Sequence, residues 1–259
     1  MSELDEDYEN TRYIPRGGEY PALWSQAATA FRLKHPPLDV DGSDVFLPPA
    51  PAKGLMVFIH GGYWMETGRA DWSHLAQGAI AQGWAVAVPS YRLAPAVRIS
   101  EITAEVGRAI SRVAAQVAGP IALSGHSAGG HLAVRMICQD SPLPAQVHER
   151  ITACVPISGI FDLRPLLRTS MREVLRLDEA EARADSPILS RPRPDVATTV
   201  WVGAEERPEF IRQSRAFVAA WQETGARIAL EQEDARHHFD VIEALTNPHH
   251  PIWHHLIGA

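Results

Sequence analysis

The sequence has little cysteine, no long apolar run and no excess of basic residues. Its two cysteines, Cys138 and Cys154, are too few for a disulfide framework, and both lie in apolar stretches, so we expect reduced thiols in the core. No apolar run approaches the roughly 18 residues that a membrane-spanning helix needs. Residues 1–7 are acidic and lack the apolar segment of a secretory signal peptide. These absences predict a cytoplasmic protein without a membrane partner.

The charge balance argues against a broad nucleic-acid-binding face. The 259 residues include 31 Asp and Glu against 24 Lys and Arg, which gives a formal net charge of -7, whereas neutralising phosphates requires a basic surface. Hydrophobic residues make up 46% and charged residues 21% of the chain, as is typical of a globular protein. We therefore expect one domain over residues 1–259, in which residues 1–40 form an arm that packs on or near the functional site.

Short apolar runs alternate with helical patterns along most of the chain. Runs with the length and composition of strands occur at 55–59, 84–88, 121–123, 153–157, 199–202 and 228–230, after an edge strand expected near 44–47. Helices are expected at 100–117, from 128, at 163–176, from 208 and from 240. Strands that alternate with helices predict an α/β fold with a mainly parallel central sheet and helices on both faces.

The most informative motif lies where a strand gives way to a helix. Residues 125–129 read Gly-His-Ser-Ala-Gly, between the strand at 121–123 and the helix expected from Ala128. This is the pattern of a nucleophile elbow, in which glycines allow a sharp turn that presents the serine hydroxyl. The helix behind the turn points its N–H groups at developing negative charge. We therefore predict Ser127 as a nucleophile and the Ala128 N–H as an oxyanion-hole donor.

A glycine-rich loop directly follows the strand at 55–59. Residues 60–64 read His-Gly-Gly-Tyr-Trp. Backbone N–H groups on such a loop can approach the serine of an elbow because no Cβ obstructs them. Together with Ala128, the loop therefore predicts an oxyanion hole.

A serine nucleophile needs a general base, and the base needs an acid that orients it. The acid usually follows the penultimate strand, where Glu205 and Glu206 both occur. We favour Glu206, because it lies three residues past Gly203 and the loop then has room to turn towards the site. Asp162 is a third option.

The base is expected after the last strand, where two histidines are adjacent. Either His237 or His238 has the right place in the chain order of nucleophile, acid and base. We favour His238, which adjoins Phe239 and the helix expected from residue 240. His126 and His131 flank the elbow, where such residues usually pack or form hydrogen bonds.

Four of the 12 histidines cluster near the C-terminus, at 249, 250, 254 and 255. A metal site on one helix would want two ligands at helical spacing. Pro248 and Pro251 interrupt that spacing. We therefore expect a solvated tail and no metal site.

Taken together, these motifs resemble the α/β-hydrolases, and within them the kynurenine formamidase (arylformamidase) branch, which is related to hormone-sensitive-lipase-like esterases. The loop at 60–64 distinguishes the kynurenine formamidase branch from lipase-like relatives, which usually carry Gly or Ala where this chain has Tyr63. One departure is the acid, because the family usually has Asp at the position of Glu206. The likeness covers most of the chain and rests on residues 8–10, 60–64, 90–95, 125–132, 158–163, 208–210, 213–214 and 238–240.

The resemblance implies a serine hydrolase with an α/β-hydrolase fold. It assigns Gly62 and Tyr63 to the oxyanion hole, beside the Ala128 N–H that the elbow motif predicts, and it assigns a catalytic triad of Ser127, Glu206 and His238. It implies cleavage of an N-formyl aryl amide, above all N-formyl-L-kynurenine to L-kynurenine and formate, through a formyl-enzyme. A carboxylesterase or thioesterase of small acyl groups would use the same machinery. An inactive hydrolase fold that serves as a binding module is the third alternative.

The expected partner is a small-molecule substrate. Three residues are expected to line its pocket: Trp64, Phe161 and His126. One of three arginines would pair with a substrate carboxylate, and the sequence does not choose among Arg92, Arg164 and Arg207. No metal ion or organic cofactor is implied. The oligomeric state is not set by the sequence, and a homodimer is one option.

Overall fold

A computed structural model describes residues 4–258. In this part of the chain, eight strands form one sheet in the order β1-β2-β4-β3-β5-β6-β7-β8. The strands are β1 Leu38–Val40, β2 Ser43–Phe46, β3 Leu55–Ile59, β4 Ala85–Pro89, β5 Ile121–His126, β6 Ile151–Ile157, β7 Ala197–Gly203 and β8 Ile228–Glu233. From β4 to β8 all neighbours pair in parallel, whereas β2 pairs antiparallel with β1 and β4. The predicted mainly parallel sheet is confirmed.

Helices cover both faces of this sheet. The α-helices are α1 Asp5–Tyr8, α2 Tyr20–Lys34, α3 Gln77–Ala81, α4 Ile99–Ala114, α5 Ala128–Arg135, α6 Ala145–His148, α7 Met171–Leu175, α8 Glu179–Ala184, α9 Pro208–Gln222 and α10 Ile252–Ile257. The 3-10 helices are Thr11–Tyr13, Gly17–Glu19, Arg69–Ala76, Arg164–Arg168, Pro187–Leu189 and Val241–Thr246. None of the helices in residues 4–258 is long and apolar enough to cross a membrane.

The core consists of two apolar layers that the sheet separates. Successive side chains of a strand point to opposite faces, and β3 therefore contributes to both layers. Val57 belongs to the apolar layer that also contains residues of α4, α5 and α9. Met56 and Phe58 pack with residues of α2, α3 and α10. The central strands are thus covered on both faces, which is why they are continuous apolar runs in the sequence.

The structure corrects the edge strand expected near 44–47. Ser43–Phe46 forms β2, which lies between β1 and β4, and Leu38–Val40 forms the edge of the sheet. Asp41 and Gly42 make the turn of this hairpin with φ of 48° and 83°. A tight hairpin turn needs positive φ at both central residues, and Asp-Gly is a pair that supplies it.

Two helical expectations are corrected as well. The helix expected at 163–176 consists of the 3-10 helix Arg164–Arg168 and the short helix α7. The C-terminal residues are not a solvated tail, because α10 buries Ile252, Trp253 and Leu256 against the sheet. Within residues 4–258, no three His, Cys, Asp or Glu side chains are grouped so that they could hold a metal ion.

One buried histidine outside the predicted site has a ring that forms no hydrogen bond. His74, in the 3-10 helix Arg69–Ala76, is 6% exposed. Neither of its ring nitrogens has a hydrogen-bond partner in the part of the chain that the structure describes. Burial lowers the pKa of His74 to about 4, because charging the ring there would cost solvation energy.

Replacing His74 with Leu should stabilise the protein, and by more at pH 5 than at pH 7. An unfolded histidine takes up a proton near pH 6.5, whereas the folded ring stays neutral down to about pH 4. His74 alone therefore lowers the free energy of unfolding of the wild type by about 2 kcal/mol between pH 7 and pH 5, and the variant lacks this part of the loss. Urea unfolding at the two pH values measures the difference. Equal losses in both proteins would contradict the account.

Candidate active site

The turn after β5 holds Ser127 in an unusual backbone conformation. Ser127 lies between β5 and α5 with φ 55° and ψ -117°, a region that non-glycine residues occupy only when their surroundings hold them there. Its N–H donates to the Ile157 carbonyl at 2.9 Å, and its carbonyl accepts from the His131 N–H at 3.1 Å. A Cβ at position 129 would lie 1.9 Å from the Ile59 carbonyl oxygen. The expected strand, turn and helix around Ser127 are therefore present, and the turn requires Gly129.

The loops after β7 and β8 bring a carboxylate and a histidine together. His238 Nδ1 lies 2.7 Å from Glu206 Oε2, and both side chains are almost wholly buried, with exposed fractions of 3% and 0%. An ionised carboxylate only accepts hydrogen bonds, so Nδ1 carries the proton of the neutral ring. His238 Nε2 then has a free lone pair. This is the arrangement that a general base needs.

Glu206 has further donors. Its Oε1 accepts from the Gly203 N–H at 2.9 Å and from the Ser158 hydroxyl in a short hydrogen bond. Both carboxylate oxygens are thus satisfied, as a buried charge requires. The sequence reasoning assigned no role to Ser158. Its place directly after β6 was the available signal, because polar residues at the carboxyl ends of parallel strands belong to the functional edge of such a sheet.

The ring of His238 is held between two other rings. Phe210 of α9 lies 4.2 Å from it and His126 lies 4.6 Å from it, measured between ring centroids. His126 Nε2 also donates to the His238 carbonyl at 2.8 Å, so the residue before Ser127 is tied to the base. No hydrogen bond joins the Ser127 hydroxyl to His238 within residues 4–258. In unliganded sites such bonds are often long and shorten only when substrate binds.

The competing candidates lie elsewhere. Glu205 is exposed. The His237 ring lies 3.2 Å from the Tyr20 hydroxyl, and the backbone N–H of His237 donates to Asp240 Oδ1 at 2.8 Å. Asp162 accepts two hydrogen bonds from the Arg164 guanidinium, at 2.9 and 2.8 Å. The geometry therefore pairs Glu206 with His238, and it leaves Glu205, His237 and Asp162 outside this pair.

The loop at 60–64 reaches Ser127 with an uncommon backbone shape. Gly62, Tyr63 and Trp64 have φ values of 101°, 50° and 60°. A Cβ built on Gly61 would lie 3.4 Å from Ser127 Cβ, so the loop passes directly beside the serine. In the described chain, the N–H groups of Gly62 and Tyr63 donate to no carbonyl. Ala128 opens α5, where helix geometry leaves the first N–H groups unused. These three N–H groups are available to a developing anion.

His60 supports this loop. Its ring stacks on Tyr91 with a centroid distance of 4.1 Å, and its Nδ1 lies 2.9 Å from the Gly61 carbonyl oxygen. Burial lowers the pKa of His60 to about 4. The ring is therefore neutral at physiological pH, and its hydrogen bonds fix the loop without adding charge beside the site.

Of the expected pocket residues, two are core residues. Trp64 and Phe161 are 0% exposed, and Phe161 stacks on Phe217 at 4.3 Å. His126 is 3% exposed and is used in the contact with His238. Tyr63 is half-buried as a residue, and its hydroxyl is bonded to Asn10 and to the Tyr8 carbonyl.

The three arginines considered for a substrate carboxylate differ in their partners. Arg92 is paired with Glu105 and Arg164 with Asp162. The Arg207 guanidinium lies 3.7 Å from the centroid of the Tyr13 ring and donates to the Glu6 carbonyl at 3.1 Å. Among residues 4–258 it has no carboxylate partner, so its charge is the one that is not already balanced.

The fold and the elbow define a class of protein. Residues 56–239 match the family model for the alpha/beta hydrolase fold. The chain therefore belongs to the α/β-hydrolase fold family, and it is a hydrolase.

Individual proteins of known function or structure are also similar to this chain. The chain is 30% identical to a kynurenine formamidase of Danio rerio, over 95% of this chain and 91% of that protein. It is 45% identical to a candidate thioesterase of Silicibacter sp. tm1040, whose crystal structure superposes with a TM-score of 0.92 over 99% of both chains. An esterase of the bacterial hormone-sensitive lipase family, 19% identical, superposes with a TM-score of 0.67 over 88% of this chain and 91% of that chain, which shows the shared fold.

The contact between Glu206 and His238 predicts that a change at Glu206 lowers activity. Glu206→Gln keeps the size of the side chain and removes its charge, so we expect kcat for p-nitrophenyl acetate to fall by about 10³- to 10⁴-fold. Glu205→Gln is the matched control and should retain kcat within about twofold, because Glu205 is exposed. A larger loss in Glu205→Gln than in Glu206→Gln would refute the assignment.

Proposed function

We propose that the protein is a serine hydrolase that removes the formyl group from an N-formyl aryl amine, with N-formyl-L-kynurenine as its substrate. The observation that carries the proposal is the buried Glu206–His238 pair beside the elbow of Ser127. The full-length similarity to a kynurenine formamidase supports the choice of substrate.

In the proposed reaction, Ser127 Oγ attacks the formyl carbon while His238 Nε2 takes the hydroxyl proton. Glu206 keeps the proton of His238 on Nδ1 and stabilises the imidazolium that forms. The tetrahedral intermediate then expels the aryl amine, which receives the proton from His238. Water attacks the formyl-enzyme by the same route and releases formate, so one water is consumed for each amide bond broken.

The oxyanion of the intermediate is stabilised by N–H groups of Gly62, Tyr63 and Ala128. Donors that are already oriented stabilise charge that develops in the transition state without reorganisation at that moment, and one such donor is worth about 10²- to 10³-fold in kcat. The fixed loop around Gly62 and Tyr63 meets this requirement because His60 and Tyr91 hold it.

The burial of the site favours a small acyl group. Ser127 and His238 are each 2% exposed, so little space adjoins the nucleophile. Formyl is the smallest acyl group and needs the least room beside the serine.

A thioesterase or carboxylesterase of short acyl groups is the second candidate. The 45% identity with a candidate thioesterase, over the whole length of both chains, is the observation that favours it. The two functions share nucleophile, base and oxyanion hole, and differ in the acyl group and the leaving group that they accept.

The experiment that decides is a comparison of kcat/KM for N-formyl-L-kynurenine, acetyl-thioester and p-nitrophenyl butyrate substrates. We expect a value above about 10⁴ M⁻¹s⁻¹ for the formamide, within the ordinary range for enzymes, and at least tenfold lower values for the others. Fast turnover of the esters or thioesters with a near-silent formamide would replace the proposal with the second candidate.

Ser127→Ala supplies the blank for these assays. Removing the nucleophile should lower kcat by about 10⁴-fold or more, because the members of a triad act as a unit. Labelling of the wild type by a fluorophosphonate, and its loss in Ser127→Ala, tests the nucleophile separately from the substrate. An unlabelled wild type would favour the third alternative, a binding module without activity.

A further inference from the structure

The N-terminal arm is bonded to the loop that carries the proposed oxyanion donors. The Tyr63 hydroxyl donates to the Tyr8 carbonyl in a short hydrogen bond, and it accepts from Asn10 Nδ2 at 2.9 Å. Asn10 is 3% exposed and Tyr8 is 2% exposed. The phenol of Tyr63 is therefore held by two buried residues that are more than 50 positions away in the chain.

The arm residue is itself fixed to the helix that packs on His238. The Tyr8 hydroxyl donates to Glu209 Oε1 at 3.0 Å and accepts from Gln213 Nε2 at 3.0 Å. Both partners belong to α9, whose Phe210 covers the ring of His238. A continuous series of hydrogen bonds thus runs from Tyr63 through Tyr8 to α9.

The conformation of Tyr63 needs such support. Tyr63 has φ 50° and the following residue, Trp64, has φ 60°, a left-handed region that is strained for residues other than glycine. Two such residues in succession return to ordinary backbone angles unless contacts of their side chains hold them. Rotation about these angles would turn the Tyr63 N–H away from the orientation that the proposed oxyanion hole requires.

We propose that Asn10 and Tyr8 are positioning residues, which hold the Tyr63 N–H in the oxyanion hole through the phenol of Tyr63. They touch neither substrate nor the reacting atoms. The arm thereby acts on the chemical step, and the enzyme needs residues 8–10 for its rate as well as for its stability. This inference rests on the proposed catalytic machinery and not on the identity of the substrate.

The main variant for the test is Tyr63→Phe, which keeps the ring and removes only the hydroxyl. We expect kcat for p-nitrophenyl acetate to fall about tenfold, a part of the 10²- to 10³-fold that loss of an oxyanion donor costs. KM should change less than about threefold, because the loss affects the transition state and not substrate binding. Titration with a fluorophosphonate corrects each rate for the fraction of active protein.

Asn10→Ala removes the other end of the same contact. Its kcat should fall by a similar factor, and the double variant Asn10→Ala/Tyr63→Phe should be no slower than the slower single variant, because both changes act through one phenol. Affinity for a trifluoromethyl ketone, whose adduct on Ser127 places an oxyanion in the hole, should weaken in parallel with kcat. A purely structural role would leave this affinity and kcat of the folded fraction unchanged.

Tyr13→Phe is the matched control. Tyr13 lies on the same arm, and its ring is 43% exposed; loss of its hydroxyl should leave kcat within twofold of the wild type. The proposal is overturned if Tyr63→Phe retains its kcat, or if the losses of the two single variants multiply in the double variant. Because the assay uses an ester, slow cleavage of N-formyl-L-kynurenine by the wild type would refute the proposed substrate alone.

Discussion

The hydrogen bond between Glu206 and His238 is the interaction on which the rest of the site depends. A buried carboxylate is costly unless its oxygens are satisfied, and Glu206 draws its donors from three strand ends. Gly203 ends β7, Ser158 follows β6, and His238 follows β8. Because Glu206 accepts hydrogen bonds from all three, the loops after β6, β7 and β8 are held in fixed positions relative to one another. Apolar burial builds the sheet, but this polar requirement sets the geometry at its carboxyl edge.

The proposed oxyanion hole depends on a different constraint, the backbone shape of the loop at 60–64. Two successive non-glycine residues, Tyr63 and Trp64, have positive φ. The surrounding contacts offset the strain: the ring of Trp64 is buried edge-on to His131 at 5.2 Å, and the phenol of Tyr63 is bonded to the arm. Strain that is held in this way at a functional site keeps donors oriented before the substrate arrives.

What could be predicted from the sequence was local. The strands of the parallel sheet are apolar runs because both of their faces are covered, and the elbow is a motif within five residues; both were predicted. The hairpin turn at Asp41 and Gly42 and the packing of α10 were missed, although Asp-Gly and the apolar spacing of residues 252, 253 and 256 carried the signal. Contacts such as that of Asn10 with Tyr63 join distant parts of the chain, and no local pattern encodes them.

The side-chain length of Glu206 is matched to the way in which its loop is anchored. The Ala204 N–H donates to the Glu233 carbonyl and the Glu205 N–H to the Arg236 carbonyl, each at 2.8 Å. These bonds hold the backbone before Glu206 against β8 and the segment that leads to His238, so the loop is not free to advance. An aspartate would be shorter by one C–C bond, about 1.5 Å, so from this backbone its carboxylate would lie farther from His238 and Ser158. The extra methylene of Glu206 compensates for the fixed position of its loop. The length of this side chain and the anchoring of the loop therefore match each other.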